Sequence, residues 1–166
     1  MKNKTARKFS PSEGFTLIEL VVAFSIMAIL GTVGIASFVS YSRSQSLQQA
    51  TNDLTMTINT ARAKSLAQVS NICSGSGVFN GYDVVISTNS YNLNAECSGS
   101  NVLIKSTPFP TGVSLHNPPS PPITITFAVL SGGVTVTPTA ANIQIDGVSG
   151  SKKFTIDSGG NIQFQP

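Results

Sequence analysis

The chain has 166 residues, 40% of them hydrophobic and 10% charged, with a formal net charge of +3, no Trp, one His and two Cys. That length holds one domain plus whatever the N-terminus contributes. The excess of base is confined to one end: Lys2, Lys4, Arg7 and Lys8 face Glu13 alone, whereas beyond Gly14 six bases (Arg43, Arg62, Lys64, Lys105, Lys152, Lys153) meet six acids (Glu19, Asp53, Asp83, Glu96, Asp146, Asp157). A neutral body has little long-range field to draw phosphate backbones, which counts against a nucleic-acid binder.

Behind the basic cluster, no residue from Leu20 to Ser42 carries a charge. Basic residues just ahead of such a stretch stay cytoplasmic, and the apolar residues behind them cross the membrane. As a helix, 15–42 would measure roughly 42 Å at 1.5 Å per residue. That exceeds the roughly 30 Å of bilayer hydrocarbon, so the segment spans with tilt or protrudes. The chain beyond about Arg43 is then on the outer side. A secretory signal, with small residues at Gly34-Ile35-Ala36-Ser37 for cleavage, and a plain single-pass anchor both compete for this segment. Neither accounts for Glu19, because an acid inside a membrane helix costs about 2.5–3.5 kcal/mol, somewhat less near an end.

A third reading uses all of these features. Ser12-Glu13-Gly14-Phe15-Thr16-Leu17-Ile18-Glu19-Leu20 closely resembles the processing motif of type IV prepilins and type II secretion pseudopilins. The resemblance implies a leader over 1–14, cleavage by prepilin peptidase between Gly14 and Phe15, and N-methylation of Phe15. It makes Glu19 the glutamate that neutralises the amine of an adjacent subunit during assembly. It further implies an inner-membrane, single-pass chain with a cytoplasmic N-terminus, a periplasmic or extracellular C-terminal domain, and other pilin or pseudopilin subunits as partners in a filament. Glycine before the cut leaves the peptidase unobstructed, and a paired charge in an apolar surrounding is penalised less than a lone one. One feature departs from many members of that family: Ala36 stands where they carry a helix proline, and Gly31 and Gly34 are weaker breakers.

From residue 43 the pattern turns amphipathic, with Leu47, Ala50, Leu54, Ile58, Ala61 and Leu66 recurring at helical spacing among polar residues. Neither Pro nor Gly interrupts 35–74, so one helix is expected to run on to about Val69, as the amphipathic half over 43–70. A separate short helix after a loop is the alternative. The globular part is expected over 71–166. A loop over 71–81 precedes strand-like pieces at 82–88, 91–95, 102–106, 112–116, 123–130, 134–137, 143–145, 154–156 and 161–164. The proline-rich stretch 108–122 suggests a rigid exposed connection, and Asp157-Ser158-Gly159-Gly160-Asn161 suggests a hairpin turn. One long helix leading into short antiparallel strands is an α+β, lollipop-shaped architecture. That layout is similar to the GspH/FimT-like minor pseudopilins and minor pilins, with Ala61-Arg62-Ala63-Lys64-Ser65, Phe109-Pro110-Thr111-Gly112-Val113 and Gly160-Asn161-Ile162 as loose points of likeness.

No catalytic constellation emerges. His116 stands alone in the sequence, no Gly-x-Ser-x-Gly elbow or phosphate-binding glycine loop is present, and the acids are scattered. No cofactor or metal is expected. The 157–161 turn has oxygens for calcium, but one carboxylate is few for that ion, and turn chemistry alone explains its residues. Cys73 and Cys97 can bridge across the first strand pair outside the cytoplasm or remain as two buried thiols. The expected function is a structural filament subunit, a minor one. Capture of DNA during uptake is the alternative, and the neutral body disfavours it.

Overall fold

The structure, a computed structural model, describes residues 14–68, 72–73, 77–98, 100–116, 122–129, 133–138 and 142–165, with only the backbone of 33 and 34. The expected leader short of Gly14, Val69, and the proline run at 117–121 lie outside the described residues. The chain divides into two compact units, Met1–Val39 and Ser40–Pro166.

Helix α1 covers Leu17–Leu66. Thr16 caps its start: the Thr16 carbonyl accepts the Leu20 N–H at 3.2 Å, and its hydroxyl accepts the Glu19 N–H at 3.3 Å. In the first unit the helix is an exposed apolar rod, and two of its hydroxyls bond back to the helix itself. Ser25 donates to the Val21 carbonyl and Thr32 to the Ile29 carbonyl, both at 2.8 Å. Bonding of that kind lets a hydroxyl sit in an apolar surrounding without a partner from outside.

Among the described residues of the second unit, α1 joins nine strands: β1 Phe79–Ile86, β2 Ser90–Cys97, β3 Ser100–Pro108, β4 Val113–Leu115, β5 Ile123–Ala128, β6 Val134–Thr137, β7 Ile143–Gly147, β8 Gly150–Ile156 and β9 Ile162–Gln165. They form two antiparallel sheets, ordered β3-β2-β1-β5-β6 and β4-β7-β8-β9. Alternation along the strands decides which side is buried. Tyr82, Val84 and Ile86 of β1, Leu93 of β2, and Ile123, Ile125 and Phe127 of β5 all point into one core. Ile143, Ile145 and Phe154 enter it from the second sheet, and Leu47, Ala50, Leu54, Ile58 and Ala61 enter it from α1. The architecture is therefore α+β, a long helix whose later half packs on antiparallel sheets.

Ser65 fastens the end of α1 to the sheet, donating to the Phe127 carbonyl at 2.8 Å and accepting the Tyr82 N–H at 3.1 Å. Beside it, Gly81 allows the close pairing of β1 with β5, because a Cβ there would collide with the Phe127 carbonyl and its φ is +154°.

Several boundaries differ from the sequence expectation. The helix ends at Leu66 rather than near Val69, because Gln68 adopts a left-handed φ of 51° that closes the last turn. The first strand begins at Phe79, so the preceding loop is shorter than 71–81. Strand β8 begins at Gly150 and takes in Lys152 and Lys153, which sequence patterning left outside a strand. The stretch expected as an exposed connection after Pro108 is partly core: Phe109, Val113 and Leu115 are buried, and the Phe109 ring lies 5.4 Å from that of Tyr91.

Candidate functional site

Gly14 and Phe15 precede the helix outside any helix or strand, and among the described residues nothing lies within 4 Å of where a Gly14 side chain would begin. Phe15 is 85% exposed. The peptide bond between them is thus sterically open. One turn further, the helical spacing gathers Phe15, Glu19, Leu20, Ala23, Phe24 and Met27 around a shallow groove of about 270 Å³, in which Glu19 is the one ionisable side chain among the described residues. Glu19 also stands in the first turn, where an acid favours the helix dipole, and it comes after Thr16 at the spacing of a capping box. That Thr-x-x-Glu signal is in the sequence and gives Glu19 a local task beside any intersubunit one.

From Leu17 onward the first unit exposes Ile18, Leu20, Val21, Phe24, Ile26, Met27, Ile29 and Leu30. A contiguous apolar surface of that extent is not one a water-soluble monomer carries. The helix is long and apolar enough to cross a membrane, and it fits a membrane-anchored, single-pass chain.

In the second unit, Cys73 and Cys97 are joined by a disulfide with Cα atoms 5.8 Å apart, linking the segment after α1 to the end of β2. His116, solitary in the sequence, meets the Asp146 carboxylate through Nδ1, and Gln144 donates to the same carboxylate at 2.7 Å. The β4–β7 register creates this trio by setting Ser114 opposite Asp146 and bringing the His116 N–H to the Gln144 carbonyl at 2.9 Å. Desolvation pushes the Asp146 carboxyl up, but the bonds from Gln144 and His116 outweigh it, and the group lies below its usual range.

Asp157 is occupied by its own turn. One carboxylate oxygen accepts the N–H groups of Gly159 at 2.9 Å and Asn161 at 2.8 Å, and the other accepts the Asn161 side-chain amide at 3.0 Å. Those bonds hold its carboxyl below the ordinary carboxylate range. Arg62 donates to the Asn161 side chain at 3.1 Å, so the turn also secures α1. Among the described residues, no group of three or more His, Cys, Asp or Glu is arranged to hold a metal. Lys105 lies on the five-stranded sheet, whereas Lys152 and Lys153 lie on the other, and as strand neighbours these two point to opposite faces.

Residues 10–35 match the prokaryotic N-terminal methylation motif, a signature of type IV prepilin-like chains. The matched segment contains Gly14, Phe15, Glu19 and the start of the apolar helix, and it stops short of the body. No curated protein and no solved structure matches the chain.

Proposed function

We propose that the chain is a precursor of a structural subunit, a minor one, of a type IV pilus or type II secretion pseudopilus. The methylation motif carries this reading, because it falls on an open Gly14–Phe15 bond at the foot of an apolar helix. In this account 1–14 is the leader, 15–42 the membrane half of the helix, 43–70 its amphipathic half with the turn behind it, and 71–166 the globular domain outside the inner membrane. Prepilin peptidase cuts after Gly14 and methylates the new amine on Phe15. While the precursor waits in the bilayer, the exposed apolar face of α1 is solvated by lipid. On assembly the same face packs against the helices of neighbouring subunits, and Glu19 offsets the charge of a neighbour's amine. The helix-plus-strands body supports the reading of a GspH/FimT-like subunit.

Co-purification separates this reading from DNA capture. Tagged full-length protein should bring down other subunits bearing the same N-terminal motif, in a manner that depends on an intact peptidase. The soluble fragment 43–166 has six bases and five acids, a net of +1, and should not retard duplex DNA at physiological salt, because affinity tracks the number of phosphates neutralised. A salt-dependent shift at micromolar protein, without partner subunits in the pull-down, would replace the structural reading with DNA capture.

A further inference from the structure

A cleft of about 240 Å³ opens in the second unit between α1 and the β2–β3 side of the five-stranded sheet. One wall is helical: Asp53, Met56, Thr57 and Thr60 have the spacing that places side chains on one helix face. The floor is the buried Tyr91, flanked by Thr57 and Thr107, and burial pushes its phenol pKa up. Lys105 of β3 stands across from Asp53, and among the described residues neither joins an ion pair. The cleft therefore offers one negative rim, one positive rim and a hydroxyl-lined floor.

Its size and its edge restrict the visitor. Cofactor and drug-like sites run to about 300–1,000 Å³, so this cleft suits one or two side chains better. Strand β3 is a sheet edge, but its ladder with β2 slips between Leu93 and Asn94, and Lys105 stands next to the slip. A bulge and a lysine are features that discourage strand addition, so a partner enters with side chains rather than by extending the sheet. Met56 at the rim is 70% exposed, and its flexible thioether adapts to a protein surface.

A second copy of this chain is a poor fit. Beyond Gly14 every charged residue except Asp157 lies in α1 or a strand, and the Asp157 carboxylate is taken by its own turn. We propose that the cleft docks a loop of a different filament subunit, one carrying a basic and an acidic side chain side by side, the base on Asp53 and the acid on Lys105. The filament reading supplies the class of partner; the two-signed chemistry is the cleft's own.

A photo-crosslinking phenylalanine analogue placed at Met56 in the full-length chain, in cells that make the filament, tests the proposal. The crosslinked peptide should come from a subunit with its own N-terminal methylation motif and should carry a base and an acid within a few residues. Yield should fall by at least about threefold in Asp53→Lys and in Lys105→Glu, and should recover when the partner's facing charge is reversed. Both positions are exposed, and unchanged thermal melting of the 43–166 fragment checks that the fold persists. A crosslink to this chain itself, a crosslink to a protein outside the filament, one indifferent to both reversals, or no crosslink each overturns the docking proposal. Normal N-terminal processing in the same cells shows that the filament reading has not failed with it.

Discussion

Glu19 sits where two physical roles overlap. As an acid in the first helical turn three residues after Thr16, it helps start α1, and as an ionisable group in the apolar groove beside Phe15 it can meet a neighbour's amine. Two substitutions separate these roles. Thr16→Ala removes the cap and costs the helix start about 1 kcal/mol, with no charge altered. Glu19→Ala should leave cleavage and membrane insertion largely intact while incorporation into filaments, measured against the unaltered chain, falls severely. If Thr16→Ala lowers incorporation as much, helix initiation explains Glu19 and the pairing role fails. At the far end of the chain, Asp157 ties the β8–β9 turn together. A carboxyl whose pKa is lower folded than unfolded contributes stability that is present above its unfolded value, near 4, and is lost as pH falls through the folded one. Below about pH 4 the 43–166 fragment should therefore melt progressively earlier. Asp157→Asn should flatten part of that acid slope in a series of thermal melts, and an unchanged slope would remove Asp157 from the account.

At the scale of elements, the end of α1 is where the body is fastened. Ser65 bonds to both β1 and β5, Arg62 reaches the 157–161 turn, and the Cys73–Cys97 disulfide ties down the segment beyond the helix. The chain-entropy account assigns a closed loop of this length about 3 kcal/mol. Thiol labelling of the unfolded, unreduced domain should find no reactive cysteine, and the paired Cys→Ser variant should melt several degrees lower. Two labelled thiols would contradict the bridge. The sequence raised the bridge as one of two alternatives, but the Ser65 and Arg62 fastenings could not be read from local pattern. Ser65 looks like any polar helix residue until Tyr82 and Phe127 are brought beside it. The length of α1 was legible because no Pro or Gly interrupts 35–74, but its last turn depends on the backbone of Gln68, which has no local signature.

Across the whole molecule, the division into an apolar rod and a neutral, strand-rich body comes from composition alone. Each of the nine strands among the described residues overlaps a strand-like piece of the sequence, and alternation is strict in Ile123-Thr124-Ile125-Thr126-Phe127, where buried and half-buried residues take turns. Their allotment to two sheets was not legible, because alternation specifies a face and not a neighbour. For the same reason His116 looked solitary: its partner Asp146 arrives through pairing of β4 with β7. The two-signed cleft has that origin too, with Asp53 and Lys105 far apart in sequence and joined only by helix-on-sheet packing. The N-terminal motif was legible because all of it is local, and the methylation-motif match over 10–35 spans Gly14, Phe15 and Glu19.

The central claim is that this local site is a processing site, and the mass of the mature N-terminus tests it most directly. Protein extracted from the membranes of peptidase-competent cells should begin at Phe15 and carry one added methyl group on its amine. In cells without the peptidase it should keep the leader. A mature chain beginning beyond Ala36 would identify an ordinary secretory signal, and an uncut chain in competent cells would identify a plain anchor. Either result would contradict the account.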